Sequence, residues 1–157
     1  MRYADHADGF CEVHETDPAH PRRALVLHGG FWRDHYDLTL MDGLCEDLAL
    51  WLAAEDLVGR AVGQAPVSDL EAAAPLSDGV VGELDADLAA SPYHRLPLGR
   101  PQLVVHGTLD DCVPVQMSRD YAASAGMEVT YVEREGEGHF EHIDPRSAAW
   151  ADVVAWL

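Results

Sequence analysis

Val26-Leu27-His28-Gly29-Gly30-Phe31-Trp32-Arg33 changes character within a few residues, and the change has a physical meaning. Ala24 to Leu27 is short and wholly apolar, as suits a strand buried on both faces of a sheet. At His28-Gly29-Gly30, two residues without Cβ let the chain turn sharply and present backbone N–H groups. A strand ending in such a turn can hold developing negative charge with those groups, as an oxyanion hole does. A bare Gly-Gly is also an ordinary strand-to-loop turn. This one is distinguished by its company: His28 and Trp32 around the glycines, and Asp110 and His139 far downstream.

Working outward, Met1 to Arg23 is polar, His-rich and interrupted by Pro18 and Pro21, and reads as a marginal N-terminal edge segment. From Leu38 to about Glu55 the residues Met41, Leu44, Cys45, Leu48, Trp51 and Leu52 recur at three- and four-residue steps, the pattern of an amphipathic helix. Val58 to Ala65 reads as a second buried strand closed by Pro66, and Ser68-Asp69-Leu70-Glu71 as a capping box opening a short helix through Ala74. Pro75 to Gly99, rich in Asp, Ala, Gly and Pro, reads mainly as loop, a length that in a compact domain often carries function. Pro101 to His106 and Glu128 to Glu133 are the third and fourth strands. Pro114 to Ala125 is a helix with Pro at its start and Gly126 beyond its end, and Pro145 to Leu157 a terminal helix with Trp150, Val153, Val154 and Leu157 on one stripe. Strands alternating with helices predict a parallel sheet covered on both faces, all within a single domain over residues 1–157.

Composition narrows the class. The chain carries 28 acidic residues against 10 basic ones, all Arg, for a formal charge of −18. Phosphate backbones and anionic lipid surfaces would be repelled, which argues against nucleic acid and membrane as partners. Cys11, Cys45 and Cys112 are widely spaced with no CxxC pair, so neither a disulfide framework nor a zinc knuckle is expected. Met1 to Phe10 holds no apolar signal core, and the expectation is a cytoplasmic protein.

Three loops that leave strands carry a resemblance. His28-Gly29-Gly30-Phe31-Trp32, the run HGTLDDCVP at 106–114 and GEGHF at 136–140 resemble the oxyanion, acid and base loops of the α/β-hydrolase superfamily. Their order and setting are similar to those of its HGGxW-type esterases and arylformamidase (kynurenine formamidase-like) members, relatives of the prolyl oligopeptidase-like enzymes. The resemblance implies an α/β fold, a reduced α/β-hydrolase-like parallel sheet of about four core strands with helices on its faces. It implies His139 as the base and Asp110, rather than Asp111, as the acid that orients it, with Asp111 left to serve the following helix. It also implies Gly29, Gly30 and Phe31 as the oxyanion loop and His28 and Trp32 as substrate-pocket residues.

The nucleophile is missing from this set. No Gly-x-Ser-x-Gly occurs, and the one Gly-x-x-x-Gly window, Gly59 to Gly63, has Ala61 at its centre and reads as strand. Leu38 to Ala49 resembles the helix after the oxyanion loop and Leu50 to Ala54 the helix after the nucleophile turn, as though the block between them were absent. Substitutes are weak. Ser68 has the context of a helix cap, Cys112 stands beside Asp110 and Asp111, whose charges disfavour a thiolate, Cys45 belongs to an apolar helix face, and Ser91 precedes Pro92 as a turn residue. His139, His142 and Asp144 lack the helical spacing of a metal site, so no metal and no cofactor is expected. The expectation is an impaired hydrolase of small-molecule esters or amides with an incomplete triad. The alternatives are a non-catalytic α/β binding or interaction module, or an incomplete gene product. Oligomeric state is left open.

Overall fold

A computed structural model describes residues 59–76 and 91–157. The expected strand at 24–28, the HGGFW loop, the helix at 38–55 and the N-terminal edge segment lie outside the described residues.

Three strands form a parallel sheet in the order β1 (Ala61–Gln64), β2 (Gln102–Gly107), β3 (Val129–Arg134). Ala61 pairs with Gln102 and Gln102 with Val129, so the strands start level and their carboxyl ends emerge together. β2 is buried along its whole length and has the unbroken apolar run, Leu103-Val104-Val105, that a strand covered on both faces requires. Between the strands lie α1 (Leu70–Ala73) and α2 (Val115–Ala125), and α3 (Ala148–Trp156) closes the chain.

Side-chain alternation along β2 sends its residues to two cores. Val104 points to one face with Ala61, where Tyr121 and Ala125 of α2 cover it. Leu103 and Val105 point to the other, under Ala149 and Val153 of α3. A parallel sheet with a helix on each face is the architecture expected from the sequence. Gln102 is buried on the α2 side and accepts a hydrogen bond from the Tyr121 hydroxyl at 2.6 Å, so the core's polar atoms there are paired.

Helix punctuation matches the sequence at both ends of α2, adds a cap at Ser147 where the helix was expected to start at Pro145, and departs from expectation at α1. Pro114 precedes α2, Gly126 ends it at φ +63°, and the Ser147 hydroxyl caps α3 by accepting from Trp150 N at 3.0 Å. The expected Ser68 cap is wrong. Asp69 caps α1, its Oδ1 accepting from Glu71 N at 3.0 Å and Ala72 N at 3.2 Å. The half-buried carboxylate stands at the helix start, where two free N–H groups meet it, whereas Ser68 is fully buried and its carbonyl oxygen accepts from Tyr93 N at 2.8 Å.

Candidate functional site

The site forms where β2 and β3 end. Beyond Gly107 the chain turns into the loop 108–114, and beyond Arg134 into the loop 135–139, and backbone hydrogen bonds tie the two together. Thr108 N donates to Arg134 O at 2.9 Å, Leu109 N to Glu137 O at 2.9 Å, and Gly136 N to the Thr108 hydroxyl at 2.9 Å. The approach is so close at Gly107 that a Cβ there would lie 2.2 Å from the Glu137 carbonyl oxygen. Only glycine fits this contact.

Asp110 stands at the centre, its side chain fully buried. Its Oδ1 accepts from Cys112 N at 2.8 Å and Val113 N at 2.7 Å. Its Oδ2 accepts from His139 Nδ1 at 2.8 Å and lies 3.2 Å from His106 Nε2. Burial by itself raises the carboxyl's pKa. The hydrogen bonds from His106, His139 and Val113 N outweigh it and hold Asp110 far below the usual carboxylate range. Because this carboxylate is ionised, Nδ1 of His139 carries the hydrogen and donates it, and Nε2 is left as the basic nitrogen. The His139 side chain is 24% exposed, whereas that of Asp110 is fully buried.

His106 holds the acid from beneath. Its Nε2 lies 3.0 Å from the Val113 carbonyl oxygen, an atom that can only accept, so Nε2 carries the hydrogen and shares it with Asp110 Oδ2. Nδ1 of the same ring takes the Ser118 hydroxyl at 2.7 Å, which anchors it to the first turn of α2. His142, also fully buried, accepts from Gly107 N through Nε2 at 3.3 Å. Burial pushes its pKa down to about 4, and the neighbouring His106 adds to this, so the ring is neutral.

Cys112 belongs to this cluster in space. Its Sγ, a carboxylate oxygen of Asp110 and a ring nitrogen of His139 all lie within 4.8 Å of one another. The thiol donates to Asp111 Oδ1 at 3.5 Å, and burial together with the Asp111 carboxylate pushes its pKa up to about 11. Asp111 accepts the thiol here and does not cap α2, contrary to expectation; α2 starts at Val115 with no side-chain cap, and Asp110 binds the N–H groups of Cys112 and Val113 within the loop. Ser91 acts as a tie, accepting from Leu70 N at 3.2 Å and donating to Ser68 O at 3.5 Å.

The structure thus brings Asp110 and His139 together. His28, Gly29, Gly30, Phe31 and Trp32 lie outside the described residues. His106, Ser118, Cys112 and His142 were not assigned to a site from the sequence. For His106 a signal existed: it ends an apolar run four residues before the acid. Cys112 and His142 adjoin the pair in sequence and were set aside as nucleophile and metal ligand, whereas Ser118 joins the cluster only through the fold.

No protein-family model and no curated protein matches the chain. Solved structures share the fold. The esterase domain of a Rhodothermus marinus protein matches with a TM-score of 0.55 at 15% identity, covering 74% of this chain and 57% of that one. Esterase 2 of Thermogutta terrifontis, in its sarin-phosphonylated form, matches with a TM-score of 0.54 at 20% identity, covering 83% of this chain and 48% of that one. The chain therefore has an α/β-hydrolase-like fold in reduced form and spans about half the length of these two structures.

Proposed function

We propose that this chain is an acyl-transfer hydrolase of carboxylic esters or formamides that keeps its acid–base pair and its oxyanion loop and lacks an attacking serine. The observation that carries the reading is the Asp110–His139 hydrogen bond of 2.8 Å, made to a buried carboxylate that two backbone N–H groups and His106 already hold in place. Fixing the ring in this tautomer leaves Nε2 unprotonated as a general base, the state that proton removal from an attacking group needs. The site reading includes Gly29, Gly30 and Phe31 as oxyanion donors and His28 and Trp32 as pocket residues, carried by the HGGFW resemblance. Leu109 and Phe140, both large and exposed, adjoin the acid and the base in sequence and favour apolar acyl or aryl groups. The substrate class, a small ester or amide, and the arylformamidase-like affinity rest on the resemblance.

Loss of the nucleophile alone costs about 10⁶ in turnover in a serine hydrolase. Water attack assisted by His139 would be the remaining route, and slow. The test is a fluorophosphonate probe read by intact mass, with the Thermogutta esterase, which sarin phosphonylates, as positive control. We expect no adduct on this chain and weak hydrolysis of an activated short-chain ester that His139→Gln abolishes. Stoichiometric labelling of a serine would overturn the missing-nucleophile reading. Ester hydrolysis unchanged in His139→Gln would overturn the role given to the pair and favour a non-catalytic module.

A further inference from the structure

We propose that Asp110, Cys112 and His139 form a binding site for a soft divalent cation of the zinc class. The three bring a thiol, an imidazole and a carboxylate to one point from two separate loops, with their donor atoms all within 4.8 Å of one another. A tetrahedral zinc ion, bound at about 2.3 Å to sulfur and about 2.0–2.2 Å to nitrogen or oxygen, separates its ligand atoms by roughly 3.3–3.6 Å. Closing from the observed spacing breaks the His139 Nδ1–Asp110 hydrogen bond, with the ring hydrogen passing to Nε2, and draws the Cys112 and His139 side chains together on loops whose backbones are already tied to each other. Three protein ligands leave a fourth position for water, which is the open form of a zinc site.

The donor set chooses the metal. Magnesium and calcium take six or more oxygen ligands, which this cluster does not supply, whereas sulfur and nitrogen donors select zinc-like ions. Charge favours entry: the exposed Asp111 carboxylate lies 3.5 Å from the thiol, and the chain as a whole carries −18. Both Cys112 and His139 are partly open to the surface. The ion coordinates thiolate, so binding displaces the Cys112 S–H proton to solvent and tightens as pH rises. One consequence rests on the hydrolase reading: the bound ion would occupy a nitrogen of the base and an oxygen of the acid, and so switch the acid–base pair off. Binding itself does not depend on that reading.

The experiment is a Co²⁺ titration of the full chain followed by absorption, with Zn²⁺ as competitor. The expected result is one equivalent bound with a thiolate-to-cobalt charge-transfer band, reversed by Zn²⁺. Cys112→Ser removes the band and weakens binding by at least about tenfold, and His139→Gln weakens it to a similar degree. His94→Gln, at an imidazole elsewhere on the surface, changes neither. A band that persists in Cys112→Ser, or Co²⁺ binding without one in the unaltered chain, overturns the site. Cys112 is half-buried in a loop, so its serine variant keeps the test independent of any unfolding caused by changing the buried Asp110. A chain that shows the band but no metal-free ester hydrolysis retains the cation site and loses the hydrolase reading; hydrolysis without the band does the reverse.

Discussion

The carboxyl ends of β2 and β1 treat their buried polar atoms in opposite ways. Beyond β2 both oxygens of Asp110 are occupied, Oδ1 by two backbone N–H groups and Oδ2 by two imidazoles. At the end of β1, Gln64 Oε1 and Ser68 Oγ are buried with no hydrogen-bond partner among the described residues. His142, whose carbonyl takes Gln64 Nε2 at 2.7 Å, leaves Nδ1 in the same condition. An unsatisfied buried group costs about 1–3 kcal/mol. The difference teaches that Asp110 and His139 are held by their own neighbours in the chain, residues 106–118 and 134–142, with the unpaired buried atoms set around them, at Gln64, Ser68, Glu137 and His142.

The contrast breaks most severely at the acid. Asp110→Ala strips an acceptor from Cys112 N, Val113 N and His139 at once, and we expect a loss of about 3 kcal/mol in urea unfolding together with any His139-dependent hydrolysis. Gly107→Ala should cost nearly as much without touching either side chain of the pair, since its Cβ would meet the Glu137 carbonyl oxygen at 2.2 Å and force the two loops apart. A glycine replacement that left the urea midpoint unchanged would show that the loop junction is loose.

Acid separates the two groups of polar atoms by pH window. His142, lowered from 6.5 to about 4 by burial, binds its proton more weakly in the folded chain than in the unfolded one. Stability from its neutral form is therefore complete above about pH 6.5 and falls as pH drops toward 4, by at most about 3 kcal/mol. Asp110, depressed from 3.8, contributes stability that is complete above about pH 4 and is lost only below it. Chemical denaturation between pH 7 and 4.5 should thus show a decline that His142→Gln flattens; a slope unchanged in that variant would assign it to other groups.

How far the sequence foretold this contrast differs between the two ends. β2, α2, β3 and α3 were legible because an apolar run, a proline start and a glycine stop are local signals, and each falls within a few residues of its predicted bounds. The pairing of Asp110 with His139 was legible only through the resemblance of two loops, since nothing in one chain states that residues so far apart will meet. Ser68 and Asp69 are exchanged because both residue types cap helices and only Ser68 has a Glu three residues on, whereas the fold gives the cap to Asp69 and binds the Ser68 carbonyl to Tyr93 N. The sequence weighs Cys112 against a zinc knuckle on cysteine spacing alone, which misses a mixed Cys, His and Asp set, and as a nucleophile, where adjacent acids count against it; beside a cation the same acids count in its favour.

At the β1 end, removing an unpartnered atom should cost little. Ser68→Ala deletes a buried hydroxyl with no partner and keeps the backbone contact to Tyr93, so we expect stability unchanged or raised by up to about 1 kcal/mol. A loss of 2 kcal/mol or more, on the order of a buried hydrogen bond with its desolvation, would mean that this hydroxyl has a partner after all.

The smallest effect lies on the surface and isolates what makes Asp110 matter. Arg119 and Glu133 form a bidentate pair at 2.8 and 2.6 Å, a geometry at least as good as that of the acid and its imidazoles, and the pair holds the Glu133 carboxyl down to about 2. Their side chains are 43% and 29% exposed, so water and salt replace much of what Glu133→Gln removes. At about 0.15 M salt the urea midpoint of that variant should match the parent within scatter. Equal hydrogen-bond lengths with unequal consequences would identify burial, rather than distance, as the source of the site's rigidity; a large shift at Glu133 would remove that distinction.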